Sequence, residues 1–353
     1  MKPSLVLSID AMGGDDAPDI VIDGAAHFLK GRRRAVGFLF HGDEARLKPL
    51  LERQPALKPV SEIRHTASEV DMSAKPSEAV RRSRGSSMWN AVQSVKTGEA
   101  QVAVSAGNTG ALMAISKVIL RMKPGVHRPA IAASWPAPKG YSTVLDVGAN
   151  VEITPAQLVE FAVLGEAFHR AVHGESRPSV GLLNVGQEEL KGSQMIRDAD
   201  AMLRQADLDL DYHGFVEGDD ISAATTHVVV TDGFTGNVAL KTAEGTARLV
   251  GGWLRETLTS SMIGKLAAAL LGLGPLSSLR AKMDPRSVNG GVFLGLNGVV
   301  VKSHGGADAI GFATSLRIAL EMADSAFLTE IENNLARLSE LDGNGDAAQG
   351  RSA

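Results

Sequence analysis

The 353-residue chain contains no cysteine. That absence excludes disulfides, thiolate metal sites and a cysteine nucleophile together, so a covalent intermediate would need another residue. Aromatic residues are scarce at 4%, against 44% hydrophobic residues overall, which predicts an aliphatic core. No apolar run approaches the roughly 18 residues of a membrane-spanning helix. The start, "MKPSLVLSIDAMGG", carries too short an apolar run for a signal peptide, so a cytoplasmic protein is expected. The net charge is -4 and no dense basic block is interleaved with aromatics, which argues against a nucleic-acid partner. The nine histidines form no HExxH or other dense ligand pattern, so neither a metal nor a cofactor is expected.

Glycine, by contrast, is abundant, with 38 residues. Strand-like runs recur with helical stretches between them: "LVLSID", "VGFLFHG", "VAVSAG", "STVLDVG", "SVGLLNVG", "THVVVTDG" and "NGVVVKSHGG". This alternation predicts an α/β fold with a mostly parallel sheet covered on both faces. Thr154 followed by Pro155 reads as a cap and first turn of a helix, and Pro18 occupies a comparable place after Asp10. No Ser- or Pro-rich linker divides the chain. Residues 1–340 are therefore expected to form one domain and 341–353 a disordered tail.

Two stretches share a grammar, "VAVSAGNTGALM" at 102–113 and "VVVTDGFTGNVA" at 228–239. Each is a β-branched run followed by Gly-x-Thr-Gly, which reads as a buried strand, a tight bend and a helix N-terminus. Such a junction aims free N–H groups and partial positive charge at an anion such as phosphate, although a turn with nothing bound reads the same way. Lysines stand at two other strand ends. Lys191 follows "GLLNVG", and Lys302 ends "VVVK" just before His304. A lysine there holds phosphate as a point charge or merely stays at the surface. Asp10 and Asp146 are weaker candidates that equally suit turn caps. "GLGPLS" at 272–277 lacks the third glycine and preceding strand of a dinucleotide fingerprint, and "GQEELKGS" at 186–193 has its lysine in the wrong order for a P-loop.

Two regions break the alternation. Residues 69–99 are polar and basic, with Arg81, Arg82 and Arg84, and either close over a charged ligand or form a solvated loop. The stretch 254–283 carries apolar residues at four-residue spacing, such as Leu254, Leu258, Met262, Leu266 and Leu270. It is expected to form a protruding amphipathic helical hairpin that packs in the core, pairs with a second subunit, or inserts at an anionic bilayer surface.

Eight blocks in order, "IDAMGGDDAP", "KPSEAVRRSRGSSMW", "SAGNTGALMA", "LDVGANVE", "LLNVGQEELKG", "FVEGDDI", "VVVTDGFTGNVALKTAEG" and "GLNGVVVKSHGGAD", closely resemble the bacterial phosphate acyltransferase family, the acyl-carrier-protein:phosphate transacylases. The resemblance implies a three-layer α/β/α fold like that of isocitrate and isopropylmalate dehydrogenases. It also implies transfer of a long-chain acyl group from acyl carrier protein to inorganic phosphate, giving acyl phosphate for phospholipid synthesis. A short-chain phosphotransacetylase-like enzyme using acyl-coenzyme A and a non-catalytic scaffold for lipid synthesis are the alternatives. On the family reading, Lys191, Asn237 and Asp232 are the expected catalytic residues: Lys191 as the positive charge, Asn237 as an amide donor and Asp232 as an orienting group. Gly107, Asn108, Thr109, Gly110, Lys302 and His304 are expected to bind phosphate or substrate. The implied partners are acyl carrier protein, phosphate, a second copy in a homodimer, the inner face of the cell membrane and a downstream glycerol-3-phosphate acyltransferase.

Overall fold

The computed structural model describes residues 5–30, 36–138, 140–206, 208–260, 286 and 289–324. In chain order the elements are β1 (Leu5–Asp10), α1 (Asp19–Leu29), β2 (Val36–Gly42), α2 (Glu44–Glu52), β3 (Ser61–His65), α3 (Pro76–Arg82), α4 (Ser87–Lys96), β4 (Val102–Ser105) and α5 (Thr109–Leu120). There follow β5 (Ala130–Ala137), β6 (Gly140–Leu145), α6 (Pro155–His173), β7 (Ser179–Leu183), α7 (Gln194–Gln205), β8 (Asp211–Val216), α8 (Gly218–Ala223), β9 (Val228–Val230) and α9 (Gly233–Thr259). The chain then forms β10 (Gly291–Leu294), β11 (Val299–Lys302) and α10 (Ala309–Asp324). Most of the expected hairpin at 254–283, from residue 261 on, and the expected tail at 341–353 lie outside the described residues.

The β-branched runs pair because their side chains are buried on both faces, as a helix-covered sheet requires. One sheet joins the strands in the order β3-β2-β1-β4-β11-β10-β5-β6-β9-β7-β8. Helices α1, α2, α6, α7 and α10 cover one face, and α4, α5, α8 and α9 cover the other, with α3 packed on α5. The result is a three-layer α/β/α sandwich. Thr154 caps α6 in a reciprocal arrangement with Gln157, and Pro155 stands at its first turn. Helix α1 starts at Asp19, one residue after the expected Pro18.

The sheet is mostly parallel but reverses at its centre. β10 runs antiparallel to both β11 and β5, and β5 runs antiparallel to β6. Strands β1 to β4 and β11 therefore point one way, while β6 to β9 point the other. A single ladder row crosses the reversal: Ile9, Val104, Val301, Val292, Ala132, Leu145, Val230 and Leu182 are successive partners. All eight are buried. Each half has its own switch point, where neighbouring strands send their following helices to opposite faces. In the first half this lies between β1, which leads to α1, and β4, which leads to α5. In the second it lies between β7, which leads to α7, and β9, which leads to α9. Ligand crevices of open α/β sheets form at such points.

Candidate functional site

The second-half crevice opens between the strand ends at Leu183 and Val230. Asn184 anchors the loop after β7: its N–H donates to the Val216 carbonyl at 2.8 Å, and its Nδ2 to the Lys191 carbonyl at 3.2 Å. Gly192 adopts a left-handed φ of 85°, and a Cβ there would collide with the Asn184 side-chain oxygen. The loop then turns into α7, whose first turn is capped by Ser193. Lys191 projects with its side chain 54% exposed and its Nζ 3.9 Å from Glu188 Oε1. It is the cation carried by this loop.

Across the crevice, Asp232 caps α9. Its carboxylate accepts the Thr235 N–H at 2.8 Å and the Thr235 hydroxyl at 2.6 Å. Asp232 therefore organises the helix start through Thr235, and Asn237 takes its orientation elsewhere. Asn237 Nδ2 donates to the Val147 carbonyl at 3.2 Å. That carbonyl belongs to a turn at 146–150 gathered around the buried Asp146. The Asp146 carboxylate accepts N–H bonds from Ile131, Gly148, Ala149 and Asn150, and another from Asn150 Nδ2. Burial pushes its pKa up, and the surrounding N–H donors pull against that shift. The turn and α9 are in direct contact: the Gly233 N–H donates to the Asn150 carbonyl at 2.7 Å, and a Cβ on Gly236 would overlap the Asp146 carbonyl oxygen. The glycine of the second Gly-x-Thr-Gly thus permits this approach.

A largely apolar cavity of about 1010 Å³ runs from this crevice along α9. Asn184, Ser193 and Asp232 line its polar end, and Trp135, Pro136, Ile221, Ala247 and Val250 are among its apolar walls. Its size falls at the upper end of the ~300–1,000 Å³ typical of small-molecule sites.

The first-half crevice holds the other expected residues. Asn108 caps α5 by accepting the Ala111 N–H at 2.8 Å, and its Nδ2 donates to the carbonyls of Met72 (2.6 Å) and Ala74 (3.2 Å). The polar segment after residue 69 is tied down over the first Gly-x-Thr-Gly turn, where Thr109 and Gly110 begin α5. Beneath it Ser105 donates to Asp10 at 2.7 Å and accepts the Gly107 N–H at 3.0 Å. Burial raises the pKa of Asp10 despite the Ser105 hydroxyl. Lys302 donates to the carbonyls of Ala106 (3.3 Å) and Ser303. Burial lowers its pKa to about 8, with the charges of Asp10 and Asp15 resisting and that of Lys241 assisting. His304 is exposed and accepts the Gly306 N–H at 3.2 Å; its pKa is lowered, first by burial and then by Lys241.

The structure therefore gathers Lys191, Asp232 and Asn237 at one crevice, and Gly107, Asn108, Thr109, Gly110, Lys302 and His304 at another. Strands β4 and β9 are five spacings apart, about 24 Å across the sheet. Lys241 on α9, paired with Glu244 at 3.0 Å, links the two by acting electrostatically on Lys302 and His304. Asn184, Ser193 and Lys241 were not singled out as site residues in the sequence. The first two had a local signal, an amide at a strand end and a serine three residues before Ile196; the position of Lys241 opposite β11 had none. Among the described residues no His, Asp and Glu group is arranged to hold a metal, and no helix is long and apolar enough to cross a membrane.

The architecture is that of the phosphotransacetylases. One from Streptococcus pyogenes superposes with a TM-score of 0.60 at 17% identity, covering 90% of this chain and 94% of the other, and one from Staphylococcus aureus with 0.57 at 18%, with the same coverage. A 4-hydroxythreonine-4-phosphate dehydrogenase from Klebsiella pneumoniae shares the fold at 0.54 and 15%, covering 92% of this chain and all of the other (100%). At the sequence level, residues 5–330 match the model of a family described as fatty acid synthesis protein. The phosphate acyltransferase of Maricaulis maris is 63% identical over 95% of this chain and 96% of its own length, and that of Caulobacter vibrioides 58% over 96% and 93%. The chain belongs to this phosphate acyltransferase family, and it is an acyltransferase of fatty acid synthesis.

Proposed function

We propose that the protein moves a long-chain acyl group from the thioester of acyl carrier protein to inorganic phosphate. A phosphate oxygen attacks the thioester carbonyl, the C–S bond breaks, and acyl phosphate leaves alongside the carrier thiol, which takes up a proton. The observation that carries this reading is the apolar cavity opening beside the starts of α7 and α9. It puts room for an acyl chain next to N–H groups and a lysine suited to anions. Lys191 supplies positive charge to the phosphate or the developing oxyanion, Asn237 supplies an amide donor, and Asp232 fixes the α9 terminus through Thr235. Phosphate is an anion near neutral pH and a thiolate leaves readily, so positioning does most of the work without a strong base. The turn at Gly107, Asn108, Thr109 and Gly110, with Lys302 and His304, serves a second anionic group of the substrates.

The same reading includes a homodimer, cytoplasmic location with peripheral attachment to anionic membrane through 254–283, and delivery of the product to a glycerol-3-phosphate acyltransferase. A long-chain acyl phosphate is poorly suited to open water, which favours release beside a bilayer. The test is release of free carrier protein from its acylated form with and without phosphate. Phosphate-dependent release supports the reading; release only from short acyl-coenzyme A, or none at all, refutes it in favour of a phosphotransacetylase-like enzyme or a scaffold.

A further inference from the structure

The sheet register gives the span of the cavity from its polar end to Trp135 and Pro136. Its polar end lies at Asp232, two residues beyond Val230, which pairs with Leu145; Leu145 in turn pairs with Ala132. Its opposite end lies at Trp135 and Pro136, three and four residues along β5 from Ala132 in the other direction. Six ladder rows at ~3.3 Å each make about 20 Å. Helix α9 lines the cavity from its cap at Asp232 to Val250, about 27 Å at ~1.5 Å per residue. The α9 wall in the outer half carries the small residues Ala243, Thr246 and Ala247 beside Glu244 and Val250, and Ile221 of α8 lines the same cavity. Trp135 is 9% exposed and packs in the same core as Val144, Ile221 and Val229. A half-open slot with a polar mouth, mostly apolar sides and a bulky aromatic toward its far end has room for an extended hydrocarbon chain.

We propose that this slot binds the acyl chain tail-inward and that Trp135 with Ala247 sets the longest chain accepted. The inference rests on the acyl-transfer reading for its substrate but concerns the slot alone. Each methylene short of Trp135 leaves apolar wall uncovered, and each methylene beyond it passes the exposed Pro136 into solvent and gains no further burial. Trp135→Ala lengthens the slot, and Ala247→Leu, on a half-buried helix face that tolerates a larger side chain, narrows its outer half.

The experiment measures kcat/KM over a graded series of saturated acyl carrier proteins for the parent and both variants. The ratio of long-chain to short-chain kcat/KM is expected to rise at least about tenfold in Trp135→Ala and to fall by a similar factor in Ala247→Leu, in line with discrimination per methylene in apolar pockets. Folded variants that turn over substrate with the parent's chain-length profile overturn the proposal. If the parent turns over no acyl carrier protein, the transfer reading fails instead. Binding of free saturated fatty acids of graded length, followed by calorimetry, then decides the slot: variant affinities shifting in opposite directions with length support it, and unshifted affinities overturn it.

Discussion

Replacing Asp146 by asparagine tests whether one carboxylate holds the α9 terminus in place. Asp146 is fully buried, with 0% exposure. Its Oδ1 accepts the N–H groups of Ile131 (3.0 Å), Gly148 (3.2 Å) and Ala149 (2.9 Å), and its Oδ2 accepts the N–H (2.7 Å) and Nδ2 (2.8 Å) of Asn150. Asparagine keeps the shape but converts one of these oxygens into an NH2 group. Whichever way the amide turns, a donor then faces at least two donors. Losing two hydrogen bonds to a charged acceptor, at about 1.5–3 kcal/mol each, amounts to about 3–6 kcal/mol. At about 2 °C per kcal/mol for a chain of this size, the Tm should fall by roughly 6–12 °C. Activity should be lost while the protein is still folded, because Val147 and Asn150 of the same turn hold Asn237 and Gly233. Scanning calorimetry paired with turnover at a temperature well below the transition measures both. A variant melting within about 2 °C of the parent, or fully active at that temperature, would refute the assignment of Asp146 as the organiser of the turn.

Lys191→Ala should lower kcat by about 10² to 10³, the cost of removing one group that stabilises an oxyanion, while leaving the Tm unchanged because the side chain is half exposed; near-normal turnover would remove it from the site. Buried His41 and His169, whose pKa values burial lowers to about 4 and about 3, bind protons less readily than in the unfolded chain. Their contribution is complete above the unfolded pKa of ~6.5 and is lost as pH falls, by on the order of 3 kcal/mol each at pH ~4. Urea midpoints should therefore decline below pH ~6.5 less steeply in His169→Gln than in the parent, and parallel declines would exclude His169 as a contributor. Lys302, with its pKa lowered to about 8, should lose charge in mild alkali, so KM for acylated carrier protein should rise above that pH in the parent and stay flat in Lys302→Arg. A parent KM that is constant through pH 9 would argue that Lys302 does not bind an anionic group of the carrier substrate.

Much of the fold was legible because β-branched runs buried on both faces leave a strong pattern. "LVLSID", "VGFLFHG" and "VAVS" are β1, β2 and β4 almost to the residue. The four strands without a clear signal each have a reason. β3 ("SEIRH") and β8 ("DYHGFV") are sheet edges with half their pattern polar; β5 ("AIAASWPA") is alanine-rich and carries a proline next to its last residue; β10 ("GVFL") is short. The reversal at β5 and β10 was the consequential omission. Strand composition does not encode pairing direction, and the one local hint was the Pro- and Gly-containing stretch "PAPKG", which spans the end of β5 and the start of β6. Without the reversal, both Gly-x-Thr-Gly turns would be expected at one edge of the sheet; with it they belong to separate crevices. The caps were readable from local spacing, as at Thr154, whereas the grip of Asp146 on a turn and the reach of Lys241 toward Lys302 depend on tertiary approach.

The placement of β10 and β11 bears on how the protein is made. These strands are the last to be synthesised, yet they sit in the middle of the sheet between β4 and β5. Until they leave the ribosome, β4 and β5 present unpaired edges that have no covalent reason to stay apart from other chains. Exposed strand edges of this kind template association, and pairing that must wait for distant sequence is slow. The nascent polypeptide therefore passes through a stage with two half-sheets and an open seam, the interval in which a chaperone has something to hold. A chain that stops before residue 291 would remain at that stage, with its seam never closed.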